Sequence, residues 1–414
     1  MQISLTKERF CELADRYTVV PVAVEILGDR MTPVSLFEAL VGGSDGFLLE
    51  SVEGGERWGR WSFVGWDPAF TLVARDGVCM IAGADVDLPD GDPIEVLAEL
   101  ADRYRSPEGA ACGFPGETPP LHGGFVGYLA YDAVRYIEHL PDRPFDDREL
   151  PEMLWHVGGA MAAFDRLRDT VLMIRAVVIG DGDPGAAYDR AVAAIGSDIE
   201  RLAGSGRKPA GERPAFEEIA PATMNVQRET FETSVRTAIE HIEAGDAFQI
   251  VPSIRFEVDY GGDTFAVYRA LRLVNPSPFM YYVRHGSLSI AGSSPELMTR
   301  VRDGVAYSRP IAGTRPRGAD RASDEALERE LLADPKERAE HVMLIDLARN
   351  DLGRVCEFGT VTVDDLMVIE RYSHVMHIVS GVSGTVRDGL GPIDVLRATF
   401  PHGTVTGAPK IRAM

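Results

Sequence analysis

The chain has 414 residues, 45 % hydrophobic and 26 % charged, which suits two large globular domains or two to three ordinary ones with sizeable cores. Its 42 basic residues against 64 acidic ones give a net charge of −22, which argues against nucleic acid or an anionic membrane surface as the main partner. An anionic substrate must then be held by local donors or a bound cation, because the overall field repels it.

The N-terminal MQISLTKERF carries charges, and VVPVAVEIL is short and broken by Pro21 and Glu25, so neither a signal peptide nor a membrane span is expected. Cys11, Cys79, Cys112 and Cys356 show no CxxC spacing and read as reduced thiols of a cytoplasmic protein. From about Val19 to Val178 short apolar runs alternate with turn signals. In FTLVARDGVCMIAG, Asp76-Gly77 predicts a hairpin. A helix is expected over about Ala186 to Leu202, then a linker rich in Gly, Pro and charge that ends near Ala222. The domains expected are therefore 1–180, a helix and linker over 181–222, and 223–414.

The second domain opens with a predicted helix from Val226 to Ala244. Phe231, Val235, Ala238, Ile239 and Ile242 share one face for burial, and Gly245 suits its stop. Strand-like runs follow, AFQIVPSIRFEV, FMYYVRHG, SLSIAG, LMTRVRDG and VAYSRPIAG, then a helix and the strand SHVMHIVSGVSGTV. Strand runs without regular helix alternation predict an α+β fold of antiparallel sheets flanked by helices.

In DPKERAEHVMLIDLARND, Asp334 is a good N-cap and Pro335 suits the first helical position, with Glu337 placed to close a capping box. That box accounts for Glu337 without any function. It does not account for Glu340, which shares the same face at i, i+3 beside His341. His374 and His377 form an HxxH pair, but strand residues three apart point to opposite faces, so at most one lines a site. Glu296 in SSPELMTR follows a turn, where a carboxyl acts as general acid if burial raises its pKa, although a solvent-facing glutamate is the commoner case. PIAGTRPRG offers Arg315 and Arg317 to an anion or is a basic surface loop. GGFVGYLAYD lacks the order of a dinucleotide loop, and HGTVTGAPK lacks that of a phosphate loop, though its backbone N–H groups can meet a carboxylate.

Taken in order, FQIVPS, NPSPFMYY, SSPE, PIAGTRPRG, DPKERAEHVMLIDLARNDLGRV, RYSHVMHIVS and FPHGTVTGAPKIRAM resemble the chorismate-utilising enzymes, most closely the aminase subunits of anthranilate synthases; FLLES and GGFVGYLAYD extend the likeness into the first half. The resemblance implies that fold, incomplete at the C-terminus, and a lyase that turns chorismate and ammonia into anthranilate and pyruvate in tryptophan biosynthesis. It also implies Mg²⁺, of which Glu337 and Glu340 look like half the site, a cation that prefers carboxylates and water. Glu296 resembles the acid near the leaving C4 hydroxyl and His377 the histidine of pyruvate elimination. Gly313, Thr314 and Thr404 match chorismate-contacting positions. Gln249 stands where isochorismate and salicylate synthases carry a lysine that activates water, and Ala312 where aminodeoxychorismate synthases carry a lysine, so ammonia and anthranilate are implied. Ser51, Pro278, Phe279 and Met280 match a tryptophan feedback pocket, with Arg60 a candidate basic position; otherwise these are sheet contacts.

Ammonia is expected from a glutamine amidotransferase subunit, since no glutaminase-type cysteine motif occurs here. Related chains continue past KIRAM through segments that supply further substrate donors and the other magnesium carboxylates. The resemblance thus implies a C-terminally truncated chain that is itself inactive. The competing readings are a non-catalytic tryptophan-binding or partner-binding remnant, and an isochorismate or salicylate synthase of the same fold.

Overall fold

The computed structural model describes residues 2–51, 59–204, 222–372 and 374–414. The expected linker, at 205–221, lies outside them. Two compact units form, one from 1–136, 144–214 and 263–295, the other from 137–143, 215–262 and 296–414.

The first unit is built on a seven-stranded antiparallel sheet, ordered Val19–Leu27, Thr170–Val178, Gly159–Asp165, Trp61–Trp66, Gly46–Glu50, Phe279–His285, Leu288–Ser294. Alternate residues enter different cores. Leu48, Val64, Ala162 and Met173 pack with helices Lys7–Ala14, Pro33–Leu40 and Pro184–Gly204, whereas Phe47, Phe63, Met161 and Leu172 join Leu154 of a second, four-stranded sheet. Both faces are covered, which is why these strands read as nearly continuous apolar runs. The predicted hairpin pairs Phe70–Arg75 with Val78–Ala82, and Asp76 (φ 49°) and Gly77 (φ 75°) take the two positive φ values that a primed turn requires.

Two expected boundaries move. The hairpin Phe279–Ser294 belongs to the first unit because Met280 to Arg284 pair in register with Glu50 to Gly46. Helix Pro184–Gly204 also belongs there, since it buries Tyr188 and Ile195 in the core.

The second unit centres on the strand Val375–Thr385, which pairs with Val305–Ser308 and Ile311–Pro316 and also with Thr362–Arg371, all antiparallel. Helices Pro335–Gly353 and Pro392–Thr399 pack Ile345, Ala348, Leu352 and Val395 against Ala306 and Val382. Helix Arg228–Glu243 forms as predicted and stops at Gly245 (φ 84°). Its apolar face is not buried, however: Ile239 is 49 % and Ile242 37 % exposed. Among the described residues no helix is long and apolar enough to cross a membrane.

Candidate active site

Glu296 sits at the start of the second unit's long C-terminal part with its side chain only 18 % exposed. Thr404 donates its hydroxyl to Oε2 at 2.8 Å, and the Ile311 backbone also hydrogen-bonds the carboxyl. Burial nevertheless dominates these two stabilising contacts and raises the pKa to about 7. A carboxyl so placed is protonated below neutrality and can surrender that proton, the property expected of a general acid. His402 Nδ1 lies 2.7 Å from Thr404 Oγ1, and burial together with Lys410 pushes this ring down to about 4, so it is neutral. His402, Thr404 and Glu296 thus form a continuous polar chain. His402, which no sequence signal singles out, opens the segment HGTVTGAPK.

The strand Ile311–Pro316 carries the next components. Gly313 has φ 64° at a register shift between Ala312 and Thr314, a bulge that a residue with a Cβ resists. His377, across the ladder, places Nδ1 3.0 Å from Thr314 Oγ1 and 3.1 Å from the Gly313 carbonyl oxygen. A carbonyl only accepts, so Nδ1 bears the proton and Nε2 is the basic nitrogen of the neutral ring. His374 precedes the strand and is exposed, as expected for a pair that cannot chelate together.

Helix Pro335–Gly353 begins at the predicted cap, where Asp334 accepts from Lys336 and Glu337 backbone N–H groups. The capping box does not close. The Asp334 N–H is taken by the Leu331 carbonyl at the end of the preceding helix, and Glu337 turns toward the sheet instead. A Cβ on Gly313 would lie 3.2 Å from Glu337 Oε2, so the glycine leaves room for this carboxylate. Arg315 and Arg317 are not presented to an anion. Arg315 pairs with Glu330, Asp334 and Glu337, and Arg317 clamps Asp324 with two bonds of 2.9 Å. Among the described residues no group of three metal-binding side chains assembles. Glu337 and Glu340 are half-buried oxygen donors on one helix face, a chemistry that fits Mg²⁺ bound by two carboxylates, waters and substrate.

Gln249 is brought to this region by a short ladder in which Gln249–Ile250 pairs with Gly407–Ala408. Its Oε1 is buried with no hydrogen-bond partner among the described residues. Gly407 is required here, because a Cβ would meet the Gln249 carbonyl oxygen at 2.1 Å. Lys410 anchors the same segment to the acidic helix, with Nζ 2.8 Å from buried Asp351 and 2.9 Å from the Thr399 carbonyl oxygen. Burial pushes the lysine down and the aspartate up, against their mutual attraction.

The segments expected to bind tryptophan lie in the first unit. Ser51, Pro278 and Met280 are buried, Phe279 is half-buried, and Met280 pairs with Glu50. Ser277 Oγ is buried without a partner among the described residues. Glu50, which the sequence analysis did not single out, is a fully buried hub that accepts from Tyr268 at 2.8 Å and from Arg272 at 3.0 and 3.2 Å, with Arg166 at 3.3 Å. Arg60 is committed elsewhere: it grips buried Asp165 at 3.0 and 2.7 Å and also pairs with Glu117. Its guanidinium serves the sheet rather than a ligand.

Comparison with known proteins matches this architecture. The chorismate binding enzyme family matches residues 46–414. Anthranilate synthase component 1 of Mycolicibacterium smegmatis is 45 % identical, covering 99 % of this chain and 79 % of that protein. The Acetivibrio thermocellus component 1 is 41 % identical over 97 % of this chain and 81 % of its own length. The crystal structure of anthranilate synthase component I from Streptococcus pneumoniae superposes with a TM-score of 0.72 at 32 % identity, covering 86 % of this chain and 75 % of that one. The menaquinone-specific isochorismate synthase of Escherichia coli shares the fold, with a TM-score of 0.66 at 14 % identity, covering 98 % and 81 %. The chain belongs to the chorismate-binding enzymes, within the anthranilate synthase component 1 group.

Proposed function

We propose that this protein is a cytoplasmic aminase that converts chorismate and ammonia into anthranilate, pyruvate and water. The observation that carries the reading is Glu296, a buried carboxyl with its pKa raised to about 7 and held by Thr404 on the same unit as His377. Ammonia adds at ring C2 while the C4 hydroxyl takes the Glu296 proton and leaves as water; the new ammonium returns a proton to Glu296. His377 Nε2 then removes the C2 proton, the enolpyruvyl C–O bond breaks, and the enol becomes pyruvate. Glu337 and Glu340 would hold Mg²⁺, which supplies charge for the substrate carboxylate and Lewis-acid polarisation of the ring.

The open Gln249 acceptor favours ammonia, which brings N–H donors, where a lysine would bring its own donors and charge. Burial pushes the Cys79 thiol up to about 11 and the Cys112 thiol to about 12 and also raises that of Cys356, so none of these three is an activated nucleophile, in keeping with an external nitrogen source. A glutamine amidotransferase partner is therefore part of the proposal. Tryptophan inhibition through Ser51, Pro278, Phe279 and Met280 is a second part, supported by the Ser277 hydroxyl, buried and without a hydrogen-bond partner among the described residues.

The test incubates the protein, in a version carrying the further C-terminal segments that the resemblance implies, with chorismate, ammonium and Mg²⁺ and follows anthranilate fluorescence. Ammonia-dependent anthranilate is expected of that version, with inhibition by tryptophan that Ser51→Phe relieves. Isochorismate or salicylate as the main product overturns the assignment.

A further inference from the structure

The first unit contains a cavity of about 490 Å³, formed by the segment after helix Lys7–Ala14, the end of helix Pro93–Arg103 and the 120–125 loop. None of the residues assigned above lines it. Arg16, Arg105 and His122 lie on its wall, which has no aspartate or glutamate. Neither arginine forms an ion pair among the described residues, in a chain with 64 acidic side chains against 42 basic ones. Tyr17 and Tyr104 line the same wall, the Arg16 guanidinium standing 5.8 Å from the Tyr17 ring centre and the Tyr104 ring held against Phe70 at 5.0 Å. Ser106 also lines it, with Oγ buried and without a hydrogen-bond partner among the described residues.

The wall is pre-formed. Thr18 and Val19 donate their N–H groups to the Arg105 carbonyl at 3.1 and 3.0 Å, and Arg105 N–H returns a bond to Thr18 Oγ1 at 2.9 Å. The two arginine-bearing segments are therefore tied together through their backbones while the guanidinium groups remain available.

We propose that this cavity is a second binding site, for a small carboxylate with a flat unsaturated body. Guanidinium groups match a carboxylate in charge and in bidentate geometry. Tyrosine rings bury a planar body at low entropic cost. The volume lies within the range of small-molecule pockets.

The probe is 4-fluorobenzoate, titrated into the full chain and followed by ¹⁹F NMR. Saturable binding is expected, weakened at least tenfold in Arg16→Gln/Arg105→Gln. Both arginines are exposed, so an unchanged melting temperature is expected and shows that the variant is folded. Ser106→Ala should weaken binding separately, and Thr314→Val in the other unit should leave it intact. The neutral 4-fluorobenzyl alcohol and inorganic phosphate should each bind at least tenfold more weakly. No saturable binding to the unaltered chain, equal affinity in the double variant, or phosphate or the alcohol matching the carboxylate overturns the proposal.

Discussion

Replacing Glu296 by glutamine separates stability from catalysis, because both depend on the same proton. The folded carboxyl titrates at about 7 against 4.5 for the free group. The native state thus binds this proton more tightly than the unfolded chain, and its contribution to stability is complete below pH 4.5 and lost as pH rises through about 7. The difference corresponds to roughly 3 kcal/mol, most of it lost between about pH 5 and 7. Glutamine never ionises, so Glu296→Gln escapes this loss. A glutamine amide cannot accept at both of its terminal atoms as the carboxylate does, but any penalty at the Ile311 and Thr404 contacts is independent of pH and cancels when the two proteins are compared at two pH values. Urea unfolding at pH 4 and pH 8 is therefore expected to show the variant gaining about 3 kcal/mol on the parent between the two conditions. In the version carrying the further C-terminal segments, anthranilate formation should fall roughly 10²- to 10⁴-fold with the same substitution, the usual worth of a general acid. A stability difference that stays constant from pH 4 to 8 refutes the buried-proton argument, and near-parental turnover refutes the role of acid.

Thr404→Val removes a hydrogen bond that lowers the Glu296 pKa, so the alkaline limb of the kcat–pH profile should move to higher pH; an unmoved or acid-shifted limb contradicts the contact. Gly313→Ala forces a Cβ into a φ of 64° and to 3.0 Å from Leu331, costing roughly 1–2 kcal/mol in denaturation and raising the Mg²⁺ concentration for half-maximal rate by displacing Glu337. Lys410→Met strands buried Asp351 and should cost about 3–5 kcal/mol, most of it recovered in Lys410→Met/Asp351→Leu; equal losses in the single and double variants count against a paired charge. Mg²⁺ without substrate should bind weakly by calorimetry, since the described site offers Glu337 and Glu340 alone, and adding chorismate should strengthen it.

Local patterns were legible where one chemical rule acts without competition. Asp76-Gly77 made its hairpin because few dipeptides take two positive φ values as readily. His374 and His377 part for a different reason than the alternation of strand faces predicts: His374 lies just before the strand Val375–Thr385 and is exposed, whereas His377 is within it. Glu337 shows how such a rule fails. The capping box is a local rule, but Asp334 also ends the preceding helix, so its N–H already has the Leu331 carbonyl and the glutamate is left to face Gly313. Arg315 and Arg317 looked available to an anion because their carboxylate partners, Asp324, Glu330 and Asp334, lie 7, 15 and 19 residues further on, and only the fold of the next helix back onto the strand brings them into reach.

Glu50 carries the same reasoning to the first unit. As a sequence, LLES reads as ligand contact, and a buried glutamate in a chain of net charge −22 looks like a liability. Its tolerance depends on Arg166, Tyr268 and Arg272, residues 116, 218 and 222 positions away, which the pairing of the strands Gly46–Glu50, Trp61–Trp66, Gly159–Asp165 and Phe279–His285 brings together around it. Removing any one partner leaves a carboxylate that cannot return to water, whereas removing an exposed pair such as Arg228–Glu232 changes little. The hub therefore lies beside the paired strands that carry Ser51 and Met280, and a slipped register would leave the Glu50 carboxylate without these partners. The feedback pocket proposed at those residues would then owe its geometry to an ion cluster that need not touch the inhibitor at all.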